Sequence, residues 1–191
     1  MKKLLVAFAL SSSVSLSNAQ EILEADIPHC RVEFSVSFLQ FAKQTGVLPD
    51  LNISLIKRNS DFSDSKVSFT GNVKSLNTNH PIRNNHLQEE GFFHSEQYPT
   101  LSFESRSFEK IEDDVFKMTG DLTIKGITKI SEFNVVLSGE NQDPITNDHL
   151  YIFNITGTFN RLDFGIGEEY PDAAIGTEIS LDSSIILKKA E

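Results

Sequence analysis

Long stretches of the chain alternate strictly between apolar and polar residues, and this constrains the fold more than any other feature. Val32, Phe34, Val36 and Phe38 alternate with Arg31, Glu33, Ser35 and Ser37. The same period of two runs through Val67, Phe69, Gly71 and Val73, through Phe116, Met118, Gly120, Leu122 and Ile124, and through Tyr151, Phe153, Ile155, Gly157 and Phe159. It closes with Ile175, Thr177, Ile179, Leu181, Ser183, Ile185 and Leu187. Side chains in a strand point to opposite faces in turn, so each stretch reads as a strand with one dry and one wet face.

Weaker segments near 22–27, 46–58, 100–108 and 127–140 bring the expectation to about eight or nine strands. Lys125-Gly126 between Ile124 and Ile127 reads as a tight connection, and "ENQDPITND" from Glu140 to Asp148 as a looser hairpin loop. Long, one-sided, consecutive strands suggest an antiparallel meander, which hides its edges by closing into a barrel. A sandwich is the alternative that pattern alone leaves open. One stretch breaks the alternation: "NHPIRNNHLQEEGFF" predicts a helical turn or two, with Asn79 placed to cap it. "EYPDAAIG", residues 169–176, reads as a second irregular crossing, with Pro171 outside any central ladder.

The first nineteen residues follow another logic. "MKKLLVAFALSSSVSLSNA" has a basic start, a short apolar run from Leu4 to Leu10 and small residues near Ala19, the pattern of a cleaved secretory signal. Its apolar run is far shorter than the roughly 20 residues that span a bilayer, and nothing later is apolar enough to span one. The expected organisation is a signal peptide over 1–19 and one domain over 20–191.

Removing the signal takes away two lysines and no acid, so the mature chain is two units more negative than the -10 of the whole. Such a protein is repelled by phosphate backbones and anionic lipid surfaces, which excludes nucleic acid as an expected partner. Cys30 is the single cysteine, so no internal disulfide forms and the packed core must hold the fold. A buried or spare thiol is the plain reading of Cys30; an intermolecular bridge, and with it a homodimer, is the other.

Little in the sequence points to catalysis. His80, His86 and His94 stand six and eight positions apart, away from the helical or paired spacing of zinc motifs, so neither a metal nor a cofactor is expected. No G-x-S-x-G, H-E-x-x-H or glycine-rich phosphate loop occurs. Glu89-Glu90 and Glu112-Asp113-Asp114 supply no carboxylate pair with evidently different environments. The chain is expected not to be an enzyme.

Phenylalanine is the informative residue. Only Phe8 of the 15 falls in the signal, and Phe34, Phe38, Phe69, Phe103, Phe116, Phe133, Phe153 and Phe159 share the dry parity of strands. They form either a solid core or the wall of a lumen, since a barrel of about eight strands has an interior that side chains fill or that holds one small ligand. An apolar wall would select an apolar ligand.

Four strings carry a specific resemblance. "RNNHLQEEGFFHSEQYPTLSFES" (83–105), "GDLTIKGITK" (120–129), "RLDFGI" (161–166) and "IGTEISL" from Ile175 resemble, in order, the motifs of the YceI family of exported lipid-binding proteins. The resemblance implies an all-β, eight-stranded, antiparallel, lipocalin-like barrel with a short helix before the central strands, exported to the periplasm. It also implies a polyisoprenoid, such as an isoprenoid quinone or prenyl chain, enclosed for carriage or storage. Candidates for the ligand wall are Phe34, Val36, Phe38, Phe69, Phe103, Leu122, Ile124, Phe133, Phe153 and Phe159, with Phe92 and Phe93 at one end. Arg83, Asn84, His86, Arg161 and Asp163 are the polar groups inside the motifs, for a head group or for structure, with an Arg161–Asp163 lock the favoured arrangement. Asn84 and Gly91 replace acids usual in the family, and "QFAKQTGVLPD" matches its early strands poorly. A filled barrel in a structural or stress-response role, or an enzyme acting on a lipid or quinone, are the competing readings.

Overall fold

The computed structural model describes residues 20–190, and the predicted signal segment 1–19 lies outside them. The chain forms β1 (Glu21–Ala25), β2 (Arg31–Phe38), β3 (Ala42–Val47), β4 (Leu51–Lys57), β5 (Lys66–Asn72), α1 (Pro81–Leu87), β6 (Thr100–Glu112), β7 (Val115–Ile124), β8 (Ile127–Gln142), β9 (His149–Asn160) and β10 (Ile175–Lys189). From β5 to β10 each strand pairs antiparallel with the next. β1 joins β4 on one side and β10 on the other, so β1, β4 and β5 to β10 close an eight-stranded ring. The alternation reads out directly, most cleanly in β7, where every second side chain from Phe116 to Ile124 is buried.

One predicted strand, 46–58, is replaced by two, which is why ten are found, and the two expected over 22–27 and 31–38 stay separate. β1 and β2 are one path interrupted by a 3-10 turn at Ile27–His29, and the segment expected over 46–58 splits into β3 and β4 around Pro49. Pro28 and Pro49 have no N–H to give a ladder, so both kinks fall where proline forces them. Beyond the first kink β2 continues along β10, from Ser184↔Arg31 to Ile175↔Phe38, and pairs with β3 on its other edge. β3 has no further strand beside it, only the single bridge Val47↔Asn77. The ring is therefore complete at one end and interrupted at the other, where residues 73–99 fill the gap.

The connections follow their local chemistry. Lys125 and Gly126 both have positive φ (51° and 74°), giving the two-residue turn that matches strand twist. The loop after β8 is shorter than expected, because β8 runs to Gln142 and β9 starts at His149; Asp143 holds it by accepting from the Ile145 and Thr146 N–H groups. Those two bonds keep the Asp143 carboxyl below the ordinary carboxylate range. Pro171 lies outside the strands, as its chemistry requires.

The complete end of the barrel is solid. The loop between β4 and β5 inserts Phe62, whose ring meets Tyr151 and Phe153 edge-on at 5.1 and 5.2 Å. Lys57 Nζ caps this group 4.2 Å above the Phe62 ring and donates to Tyr151 Oη at 3.3 Å. Phe108 and Phe116 stack at 4.9 Å, and Leu23, Leu55, Val135 and Leu187 are buried among them.

Candidate ligand cavity

Past that layer the same inward parity faces space. A cavity of about 760 Å³ opens inside the interrupted end, within the range of small-molecule sites. β2 contributes Val32, Phe34, Val36 and Phe38; β5 Val67 and Phe69; β6 and β7 Leu101, Phe103, Met118, Leu122 and Ile124; β8 and β9 Phe133, Ile155 and Phe159; and β10 Ile175, Ile179, Leu181 and Ile185.

Glycines keep the rings against the wall. Gly46 pairs directly with Phe34 and Gly157 with Phe133, and a Cβ on either would lie inside the facing ring. The Phe103 ring covers Gly120 in the same way. Each ring takes up the space that a side chain at its glycine would fill, while still lining the cavity.

The roof comes from the two irregular segments. In α1, His80 is the N-cap, its Nδ1 accepting from the Arg83 N–H at 3.2 Å. This corrects the expectation for Asn79, which instead sits in the left-handed region (φ 56°) and turns the chain into the helix. Asn84 does not face the cavity: its Oδ1 accepts from Thr78 N–H and O–H at 2.8 and 2.7 Å, fastening the helix to the preceding loop. Arg83 borders the cavity, but its guanidinium donates to Thr78 Oγ1 and O, both at 2.9 Å. His86 also borders it, stacking edge-on against Phe92 at 4.7 Å and Tyr170 at 6.2 Å. Phe92 is buried in this stack, Phe93 is half-buried, and both touch the lumen.

Arg161 is the anchor of the second segment. Only 2% of it is exposed, and its guanidinium donates to five carbonyls: Gly176 (3.0 Å), Ile166 (2.7 Å), Gly167 (2.6 Å), Tyr170 (2.7 Å) and Ile175 (2.9 Å). The fork that would bind a carboxylate is fully used by backbone. Burial pulls the guanidinium below its ordinary value, while Asp172 opposes that. The expected lock is present with a different partner: Asp163 is exposed, makes no ion pair among the described residues and does not line the cavity. Asn160, whose Oδ1 accepts from the Leu162 N–H at 2.9 Å, starts the turn that carries Arg161 inward.

Of the predicted wall, Phe153 is the exception. It points inward, but at the solid end against Phe62. Met118, Ile155, Ile175, Ile179, Leu181 and Ile185 were not among the candidates, although they share the recognised parity. Leu48, Leu76 and Tyr170 come from irregular chain, where no periodicity marks an inward side chain. Among the described residues no three His, Cys, Asp or Glu side chains converge as a metal site would require.

Residues 23–187 match the YceI-like domain family. A UPF0312 protein of Staphylococcus aureus is 32% identical over 141 residues, 74% of this chain and 80% of its own length. One from Photorhabdus laumondii is 34% identical over 150 residues, 75% and 77% of the two chains. Among solved structures, the YceI protein of Campylobacter jejuni superposes with a TM-score of 0.73 at 26% identity, covering 81% of this chain and 90% of that one. Burkholderia cenocepacia BcnA shares the fold at 16% identity (TM-score 0.77; 85% and 98% covered). So does a polyisoprenoid binding domain from Saccharophagus degradans, at 12% identity (TM-score 0.61; 88% and 98% covered).

Proposed function

The chain belongs to the YceI-like family, and from that premise we propose that it is a non-enzymatic, exported binder that encloses a polyisoprenoid or isoprenoid-quinone-type chain for carriage or storage. The carrying observation is the apolar cavity of about 760 Å³, floored by packed rings and reaching the surface where its lining residues Phe38 and Ile82 are exposed. Each 100 Å² of hydrocarbon buried there contributes about 2.5 kcal/mol before the cost of immobilising the ligand. The chain therefore needs few polar contacts. The apolar tail sits on the Ile185 and Met118 floor and the head group lies toward His86 and Tyr170. At roughly 30 Å³ for a water-sized group, the volume takes about 25 such groups, or about five isoprene units. A longer tail projects from the mouth.

In this reading residues 1–19 are removed on export and residues 20–191 act as one domain in the periplasm. The polyisoprenoid-binding description of the Saccharophagus degradans domain belongs to that protein and agrees with the ligand class. A barrel filled for purely structural ends does not account for an empty apolar volume. Native mass spectrometry of protein purified from its own periplasm, followed by lipid extraction, tests the proposal. The expected result is a chain starting at Gln20 with a prenyl lipid bound, lost in Leu181→Trp; reproducible absence of lipid from the wild type would reject carriage.

A further inference from the structure

The cavity mouth has an apolar lip that the fold itself does not bury. Between β2 and β3 the chain turns through Leu39, Gln40 and Phe41, leaving Leu39 56% and Phe41 94% exposed. Leu39 and Gln40 both have positive φ (50° and 63°), which turns normally give to Gly, Asn or Asp. Leucine here meets neither the backbone preference nor the preference of loops for polar side chains, and such local conflicts mark functional positions. Ile82 of α1 is 76% exposed as well. Phe38 and Ile82 also line the cavity, so the exposed apolar surface is continuous with its wall.

Charge singles out the same two segments. In a chain with 27 acids, residues 34–49 and 73–88 contain none, and they carry Lys43, Lys74 and Arg83. Among the described residues Lys43 and Lys74 make no ion pair. Glu89 borders the cavity, and Asp172 and Glu178 share the groove on the outer face of β2 with Phe41 and Lys43. The equally exposed Ile145 makes a contrast: it sits alone in the 143–148 loop, flanked by Asp143 and Asp148, at the end away from the mouth.

We propose that the β2–β3 turn, together with Ile82, is a bilayer-docking lip that seats the cavity mouth on a lipid surface by inserting Phe41 and Leu39 between head groups. Rings and aliphatic tips entering the interface supply the apolar term, and the two acid-free segments, 34–49 and 73–88, let an otherwise acidic protein approach with this face first. The inference rests on the carriage reading, for it gives an apolar chain a route into the cavity without crossing water.

The test is co-sedimentation of the mature chain with phosphatidylcholine vesicles, with and without phosphatidylglycerol, all free of isoprenoids. Wild type is expected to sediment with the vesicles. Phe41→Ser should weaken partitioning about tenfold, the effect of losing one partly buried ring. Lys43→Glu should weaken it chiefly on vesicles containing phosphatidylglycerol, and Ile145→Ser should change nothing. Equal sedimentation of Phe41→Ser and wild type, or wild type left in the supernatant, overturns the proposal. So does a dimer in analytical ultracentrifugation that Phe41→Ser dissolves, since the lip would then face a second copy. Lipid content after purification is measured separately, so docking can fail while carriage stands, and the reverse.

Discussion

Phe153 and Phe159 lie on the same face of the same strand, yet one is sealed and the other borders empty space. Phe153 meets Phe62, which the β4–β5 loop pushes into the barrel, and together with Tyr151, Phe108 and Phe116 they fill the ring from wall to wall. Among the described residues Phe159 pairs with one other ring, Phe164, edge-on at 5.6 Å, and the rings of Phe34, Phe103 and Phe133 pack over glycines. The two halves have one strand pattern and opposite interiors. Packing is concentrated in the filled half, and the cavity lies in the half that forgoes it.

Without an interior to hold it, the roof of the hollow half depends on Arg161. Replacing it in Arg161→Met leaves five carbonyls without their donor and is expected to cost about 3–5 kcal/mol in urea unfolding, with the 161–175 segment losing hydrogen-exchange protection first. Matched ring truncations should then separate the halves. Phe153→Ala is expected to lose about 3–5 kcal/mol, and Phe159→Ala roughly half as much or less, because part of its surface already faces a void. Equal losses would break the comparison.

Enlargement reverses the contrast. Leu187→Trp overpacks the solid half and should cost about 1–3 kcal/mol, whereas Leu181→Trp should fold nearly as well as the wild type while blocking ligand. The smallest effect concerns Cys30, at the seam where β1 passes into β2. Its Sγ donates to the Ile186 carbonyl at 3.4 Å, and burial, with Asp26 adding to it, pushes the thiol above its ordinary value against that hydrogen bond. Alkylation by iodoacetamide should accelerate only at a pH above that of a free thiol. Because the unfolded thiol ionises first, native stability should fall slightly as pH rises through the ordinary thiol range.

The alternating runs, Lys125-Gly126 at the turn and the motifs around Arg83 and Arg161 were all legible in the chain, because period and turn chemistry are local properties. Local signals also explain the misreadings. Asn79 is the better cap by local preference, and only the path of the preceding loop gives it the left-handed turn and leaves the helix start to His80. Asp163 stands two positions from Arg161, but the tight turn sends the guanidinium inward and the carboxylate to solvent. The sequence by itself determined which side chains face inward, since strand geometry sorts them two by two. Whether the interior would be filled or hollow was decided by tertiary structure: Phe62 reaches the barrel from a distant loop, and Gly46, Gly120 and Gly157 each leave room for a ring folded over them.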